Sequence, residues 1–216
     1  MKAAPAAALR GLYAITSDAL CRQPERLTQG VMAALAGGAC LIQYRDKINA
    51  PEIRGHLAGH LLRLCRERGV PLVINDDLDL AQAIGADGVH VGSADAAVEE
   101  ARARLGADAI VGRSCHARLD IAQAAQRAGA SYVAFGRFFE SRTKPTAPPA
   151  TLDDLRRAHK ELSVPICAIG GLTPQNARPV IAAGASLVAA VEGVFGAADI
   201  EAAARAYCAL FKGRSE

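Results

Sequence analysis

The chain alternates short apolar runs with helical stretches from end to end, and this alternation constrains its fold more than any other feature. A Gly-Ala pair recurs where a helical stretch gives way to an apolar run, as at 85–86, 106–107, 129–130 and 184–185. Glycine commonly ends a helix in the left-handed conformation. Each pair therefore predicts a helix end, with a strand beginning within a few residues.

The apolar runs are apolar at nearly every position, which is typical of parallel strands buried on both faces. Strands are predicted at 12–16, 40–45, 71–75, 87–91, 109–113, 131–135, 164–169 and 186–191. Helices are predicted between them, for example at 24–36, 51–68, 97–105, 118–128, 152–161, 174–183 and 199–211. This order predicts an α/β fold, a single (β/α)8 TIM-type barrel. We expect a flexible N-terminal tail at 1–10 and the barrel catalytic domain at 11–216.

Composition narrows the class of protein. With 216 residues, 51% of them hydrophobic, the chain can bury one good core. No apolar run reaches the roughly 18 residues that span a membrane. The 6 cysteines show no metal-ligand spacing, which favours a cytoplasmic protein with reduced thiols. A net charge of +3 without a basic run argues against nucleic-acid binding and is compatible with small anionic ligands. A homo-oligomer is compatible with the sequence.

Two aspartates follow neighbouring predicted strands. The run 71–75 leads into Asp76, and the run 87–91 leads to Asp95. Parallel barrel strands end at one edge, where ligands bind, so the two carboxylates are predicted to share one hard cation. The alternative is that Asp77 and Asp95 are helix N-caps, which is the interpretation we adopt for Asp77. Similar polar exits elsewhere in the chain favour the cation site.

Two cations and an amide alternate along predicted strand 2 and its exit, at Gln43, Arg45 and Lys47. Alternation in an extended chain points these side chains to one side. A barrel interior accepts such charges only near its mouth and with a partner. The group therefore suits an oxygen-rich anion such as phosphate. The alternative is that these charged side chains only form salt bridges at the rim of the barrel.

Other strand exits carry phosphate-binding features. Ser114 follows predicted strand 5 as a candidate donor, and the loop at 136–149 is the longest in the chain. Long loops with hydroxyls, cations and prolines are typical of active sites. Glycines at 170–171 and the exit at 191–192 follow strands 7 and 8, whose loops commonly bind phosphate in such barrels. The sequence thus predicts a metal-assisted anion site and a backbone anion site.

Other candidate sites are weaker. His56 and His60 share a helix face without the His-Glu-x-x-His motif, so a structural role is favoured over zinc binding. Cys115 and His116 are adjacent, which usually points side chains apart and disfavours a nucleophile pair. His90 fits packing and ligand binding equally well. The absence of a Ser-His-Asp set and a P-loop favours catalysis by positioning and charge.

Six short motifs follow one another along almost the whole chain. They are Gln43-Tyr44-Arg45-Asp46-Lys47, Ile74-Asn75-Asp76-Asp77, His90-Val91-Gly92 with Asp95, Gly112 with Ser114, Ser141-x-Thr143-Lys144-Pro145 and Ala168-Ile169-Gly170-Gly171. In this order they resemble the thiamine-phosphate synthase family. The resemblance implies a TIM-type barrel that joins 4-amino-5-hydroxymethyl-2-methylpyrimidine diphosphate to thiazole phosphate in thiamine biosynthesis and releases diphosphate.

The resemblance also implies roles for individual residues. It implies one Mg²⁺ per subunit, bound by Asp76 and Asp95. It implies a pyrimidine diphosphate site at Gln43, Tyr44, Arg45, Asp46, Lys47, Asn75, Ser114 and Lys144. It implies a thiazole phosphate site at Ser141, Arg142, Thr143, Gly171, Val191 and Glu192. The groups expected to act in catalysis are Lys144, Arg45, Lys47 and Ser114.

The chain departs from the family pattern mainly at the thiazole end. Glu192 stands where the family commonly has a small hydroxyl residue, and we expect its carboxylate to turn away from the phosphate, toward Arg137 or Arg142. Two alternatives remain. A thiazole tautomerase shares the barrel but lacks the Mg²⁺ carboxylates and diphosphate lysines that this chain retains. A catalytically idle sensor is disfavoured because unused buried charges cost stability.

Overall fold

The computed structural model describes residues 9–92, 97–140 and 149–212. Its strands form a closed barrel in which all neighbours are parallel and each strand pairs with the next along the chain, β8 returning to β1. The strands are β1 Gly11–Ile15, β2 Leu41–Tyr44, β3 Leu72–Asn75, β4 Gly88–Val91, β5 Ile110–His116, β6 Tyr132–Phe135, β7 Ile166–Ile169 and β8 Leu187–Ala190. The predicted TIM barrel is confirmed.

Helices follow the strands and cover the outside of the barrel. They are α1 Asp18–Cys21, α2 Pro24–Ala36, α3 Pro51–Glu67, α4 Leu78–Ile84, α5 Val98–Leu105, α6 Leu119–Arg127, α7 Leu152–Glu161, α8 Arg178–Ala182, α9 Glu192–Phe195 and α10 Ile200–Ala209. None of the helices in the described parts of the chain is long and apolar enough to span a membrane.

Local signals in the sequence account for many of the helix ends. Gly85 ends α4 in the left-handed conformation, with φ of 62°, as the Gly-Ala pair predicted. Asp77 begins the same helix, and its side chain accepts a hydrogen bond from the backbone N–H of Leu80 at 2.8 Å. The prediction that Asp77 is an N-cap is therefore confirmed.

Two apolar clusters hold the fold together. The larger one lies between the strands and the surrounding helices, and the smaller one fills the barrel interior. Leu9 belongs to the inner cluster and is only 3% exposed. Ordered packing thus begins before the predicted boundary at residue 11, because this leucine buries its side chain among the inward-facing residues of the strands. Residues 1–8 of the expected tail lie outside the described residues.

Two of the differences from the predicted bounds, at β5 and α8, have a local structural cause. β5 continues to His116 because Ser114 and His116 still pair with β6, across a register irregularity. Ser114 therefore lies within a strand rather than beyond its end. α8 begins at Arg178 rather than near 174, since the side chain of Asn176 accepts a hydrogen bond from the backbone N–H of Thr173 at 2.7 Å and holds a turn there.

Candidate active site

A cavity of about 320 Å³ opens at the C-terminal ends of the barrel strands. Its lining includes seven of the predicted site residues, which lie on or just after β2, β3, β5, β7 and β8. These are Gln43, Arg45, Asn75, Ser114, Gly171, Val191 and Glu192. The two anion sites predicted from separate strand exits therefore border one continuous space.

The carboxylate of Asp76 lies at the edge of this space, at the exit of β3. Its Oδ2 accepts hydrogen bonds from Nζ of Lys47 and from Nδ2 of Asn75, the latter at 2.7 Å. Asp76 has φ of 62°, a left-handed conformation that aspartate and asparagine adopt more readily than most residues. The turn brings together a predicted metal ligand and two predicted diphosphate-binding residues.

Arg45 is held in place by residues after β1. The hydroxyl of Thr16 accepts a hydrogen bond from the backbone N–H of Arg45 at 2.8 Å and donates to its carbonyl oxygen at 3.0 Å. Asp18 pairs with the Arg45 guanidinium at 3.3 Å and accepts from the backbone N–H of Lys47 at 2.9 Å. Thr16 and Asp18 thus position both predicted cations, a function that the sequence did not assign to them.

The side chains of Tyr44 and Asp46, both predicted at the diphosphate site, are not among those that line the cavity. Tyr44 is 2% exposed, packs in the outer cluster and donates its hydroxyl to Asp46 at 2.7 Å. Although burial opposes ionisation of Asp46, hydrogen bonds from Tyr44 and Asn49 hold the pKa of its carboxyl below the usual value. Extended alternation points both side chains away from Gln43 and Arg45, and they stabilise the turn after β2.

A chain of hydrogen bonds crosses the barrel interior beneath the cavity. Nε2 of Gln43 lies 2.5 Å from the hydroxyl of Tyr13, which lies 2.7 Å from the hydroxyl of Tyr132. Tyr132 lies 2.8 Å from Nδ1 of His90, and Nε2 of His90 lies 2.9 Å from Oγ of Ser114. The sequence was compatible with either packing or ligand binding for His90 and pointed to neither tyrosine. Their inward alternation was the available signal, but it does not distinguish a polar chain from core packing.

Gly112 on β5 makes room for the central phenol of this chain. A Cβ added at Gly112 would lie 2.1 Å from Cζ and 2.3 Å from Oη of Tyr132, whose ring is fully buried. Contacts this short force the ring or the strand to move. This explains why a glycine is needed two residues before Ser114.

We expect Gly112→Ala to lower the free energy of unfolding by about 1–3 kcal/mol, the usual cost of overpacking a core. Urea denaturation would measure this change. Gly59→Ala is the matched control, because Gly59 lies inside α3 with nothing within 4 Å of an added Cβ. It should be neutral or stabilising by about 0.5–1 kcal/mol. Equal effects of the two substitutions would contradict the steric explanation.

The opposite side of the cavity is formed by Gly171 and by the start of α9, where Val191 is the N-cap residue. The first N–H groups of a helix have no partner within the helix. The carboxylate of Glu192 folds back along α9, since a Cβ added at Gly196 would lie 2.8 Å from its Oε2. The carboxylate therefore lies against Gly196, and its expected turn away from the phosphate, toward Arg137 or Arg142, stays a prediction.

Several predicted site residues lie outside the described parts of the chain. They are Asp95, Ser141, Arg142, Thr143 and Lys144. Within 9–92, 97–140 and 149–212, no group of three or more His, Cys, Asp or Glu side chains is arranged to hold a metal ion. The carboxylate of Asp76 supplies hard oxygen donors of the kind that suit Mg²⁺.

Comparisons with known proteins identify the relatives of this chain. A family model described as thiamine monophosphate synthase matches residues 12–194. A thiamine-phosphate synthase of Thioalkalivibrio sulfidiphilus is 50% identical over 94% of this chain and 96% of its own length. A thiamine-phosphate synthase of Methylococcus capsulatus is 51% identical over 94% of this chain and 89% of its own length. The solved structure of a thiamine phosphate pyrophosphorylase from Pyrococcus furiosus has a TM-score of 0.83 and 33% identity, covering 94% of this chain and 95% of that one.

Proposed function

The chain belongs to the thiamine monophosphate synthase family, and we propose from this membership how its cavity is divided between two substrates. The chain is a transferase that condenses a pyrimidine with a thiazole in thiamine biosynthesis. The proposed substrates are 4-amino-5-hydroxymethyl-2-methylpyrimidine diphosphate and thiazole phosphate. The products are thiamine phosphate and diphosphate.

The cluster of Lys47, Asn75 and Asp76 at the exit of β3 is the observation that carries this proposal. It places a cation, an amide and a carboxylate together beside the cavity. Asp76 and Asp95 would hold one Mg²⁺ per subunit, and a site of two carboxylates suits an ion that takes its other ligands from water and phosphate. When bound, Mg²⁺ would neutralise charge on the leaving diphosphate oxygens.

The protein groups around the diphosphate act by charge and position. Negative charge grows on the leaving oxygens as the bond to the pyrimidine methylene breaks, so cations there stabilise the transition state more than the ground state. Arg45 and Lys47 supply two such charges, and Lys144 is assigned a third. Ser114 donates a hydrogen bond from its hydroxyl to the same group.

The second substrate is assigned to the side of the cavity formed by β7 and β8. Backbone N–H groups of Gly171 and of residues 192–193 would hold the thiazole phosphate, and Ser141, Arg142 and Thr143 are assigned to the same phosphate. The thiazole nitrogen attacks the methylene carbon with its own lone pair, so no general base is required. Holding the two substrates in line supplies much of the remaining acceleration.

Release of diphosphate tests the function directly. We expect purified protein to release diphosphate only when both substrates and Mg²⁺ are present, with thiamine phosphate formed in equal amount. A thiazole tautomerase would release none, and a sensor would bind the substrates without turnover. Release from the pyrimidine substrate alone, at the same rate, would show a hydrolase and overturn the assignment of the second substrate.

Glu192→Ser tests the thiazole phosphate end. A carboxylate pointing at a phosphate 4 Å away would be repelled by about 4 kcal/mol at a surface-like dielectric. Since the Glu192 carboxylate lies back against Gly196, we expect KM for thiazole phosphate to change by less than about tenfold, or about 1.4 kcal/mol. A far larger fall in KM would show that the acid faces the ligand.

A further inference from the structure

The hydrogen-bond chain beneath the cavity has a fixed donor at one end, the side-chain amide of Gln43. Its members come from five strands: Gln43, Tyr13, Tyr132, His90 and Ser114. A side-chain amide nitrogen can only donate, and a phenol or a neutral imidazole carries one hydrogen to pass on. The donor at one end of the chain can therefore determine every bond after it.

The direction follows from Gln43. Its Nε2 donates to Tyr13, so the Tyr13 hydroxyl can give its own hydrogen to Tyr132. If Tyr132 donated to Tyr13 instead, the hydroxyl hydrogen of Tyr13 would have no acceptor among these five residues. In this direction Tyr132 would donate to Nδ1 of His90, and a neutral His90 would carry its hydrogen on Nε2 and donate it to Ser114.

We infer that Gln43, Tyr13 and Tyr132 are positioning residues that set the tautomer of His90 and thereby point the hydrogen of the Ser114 hydroxyl into the cavity. With its oxygen occupied as an acceptor from His90, Ser114 has its hydrogen available for an anionic group of the substrate. The role of this hydrogen in the reaction rests on the proposed function. The tautomer of His90 does not depend on the proposed function.

Burial and packing keep the chain in one arrangement. Gln43, Tyr13 and Tyr132 are each at most 2% exposed, so water does not compete for their hydrogen bonds. Burial also raises the pKa of both tyrosines well above the usual value, which keeps the phenols protonated as donors. The rings of His90 and Tyr132 are stacked, with centroids 5.6 Å apart.

Reversing the donor at one end should reverse the tautomer at the other. Gln43→Glu replaces the amide by a carboxylate, which can only accept. Tyr13 would then donate to residue 43, Tyr132 to Tyr13, and Nδ1–H of His90 to Tyr132. Nitrogen-15 NMR of the imidazole distinguishes the two tautomers, and the His90 signals can be assigned by their loss in His90→Asn.

We expect the hydrogen of His90 on Nε2 in the wild-type protein and on Nδ1 in Gln43→Glu. In a Tyr132→Phe background, Gln43→Glu should leave the tautomer of His90 unchanged, because the connection is broken while the ring remains. The same tautomer in wild type and Gln43→Glu, or a wild-type hydrogen on Nδ1, would overturn the inference. This result is independent of synthase activity.

A kinetic measurement tests the consequence for Ser114. Tyr132→Phe should lower kcat by about tenfold to a hundredfold, the range for residues that orient a directly acting group. KM for the pyrimidine diphosphate should change by less than about threefold, as expected for an interaction made mainly in the transition state. Ser131→Ala is the control, since it removes a buried hydroxyl from the adjacent position that bonds Arg102 and the Val111 backbone instead. A similar kcat loss in both variants, or an unchanged kcat in Tyr132→Phe, would overturn the positioning role.

Discussion

Asp76→Asn is expected to lower Mg²⁺-dependent turnover by about 10²–10³-fold, the scale of a lost charge-stabilising group. The substitution removes the negative charge beside Lys47 and Asn75 while keeping the shape of the side chain. Asparagine also adopts the left-handed conformation found at this residue, with φ of 62°, at little cost. Steady-state kinetics across a range of Mg²⁺ concentrations would measure the effect.

Folding should be nearly unaffected by this substitution. The lost ion pair with Lys47 is partly exposed, and such pairs contribute roughly 0–1 kcal/mol to stability. Asp79→Asn is the matched control, because this aspartate lies nearby on α4 with a side chain 87% exposed and pairs with Arg104. We expect full activity in Asp79→Asn. Comparable activity of Asp76→Asn at saturating Mg²⁺ would exclude Asp76 as a metal ligand.

Lys47→Ala should lower kcat by about 10²-fold, because the ammonium meets charge that grows only as the diphosphate leaves. The Mg²⁺ concentration for half-maximal activity should not rise. Lys47 holds Oδ2 of Asp76 but is a cation and cannot be a metal ligand. Its removal leaves that carboxylate oxygen more accessible. Asp76→Asn and Lys47→Ala should therefore differ in their dependence on Mg²⁺, although both lose turnover.

Kinetic constants for the pyrimidine diphosphate distinguish the roles available to Lys47. A raised KM with unchanged kcat would make it a ground-state binding residue. Lys160→Ala is the control for loss of a positive charge, since Lys160 lies exposed on α7, away from the cavity lining. Equal losses in the two lysine variants would point to a general effect of net charge.

The sequence alone was sufficient to predict the barrel, because the signals that specify it are local. Runs of apolar residues and left-handed glycines such as Gly85 act within a few residues of themselves. Their order then determines the topology, since parallel strands joined by helices all end at one edge. Asn75, Asp76 and Ser114 were therefore predicted near one another although β3 and β5 are far apart in the chain.

Only the tertiary structure showed which side chains meet. Tyr13 and Tyr132 are separated by 119 residues and meet because β1 and β6 face each other across the barrel interior. A tyrosine in an apolar run looks the same in sequence whether its hydroxyl joins a polar chain or packs elsewhere. Tyr44, which faces the helices and holds Asp46, is the second case. Local periodicity gives the direction of a side chain, whereas its partner depends on barrel closure and strand register, which involve the whole chain.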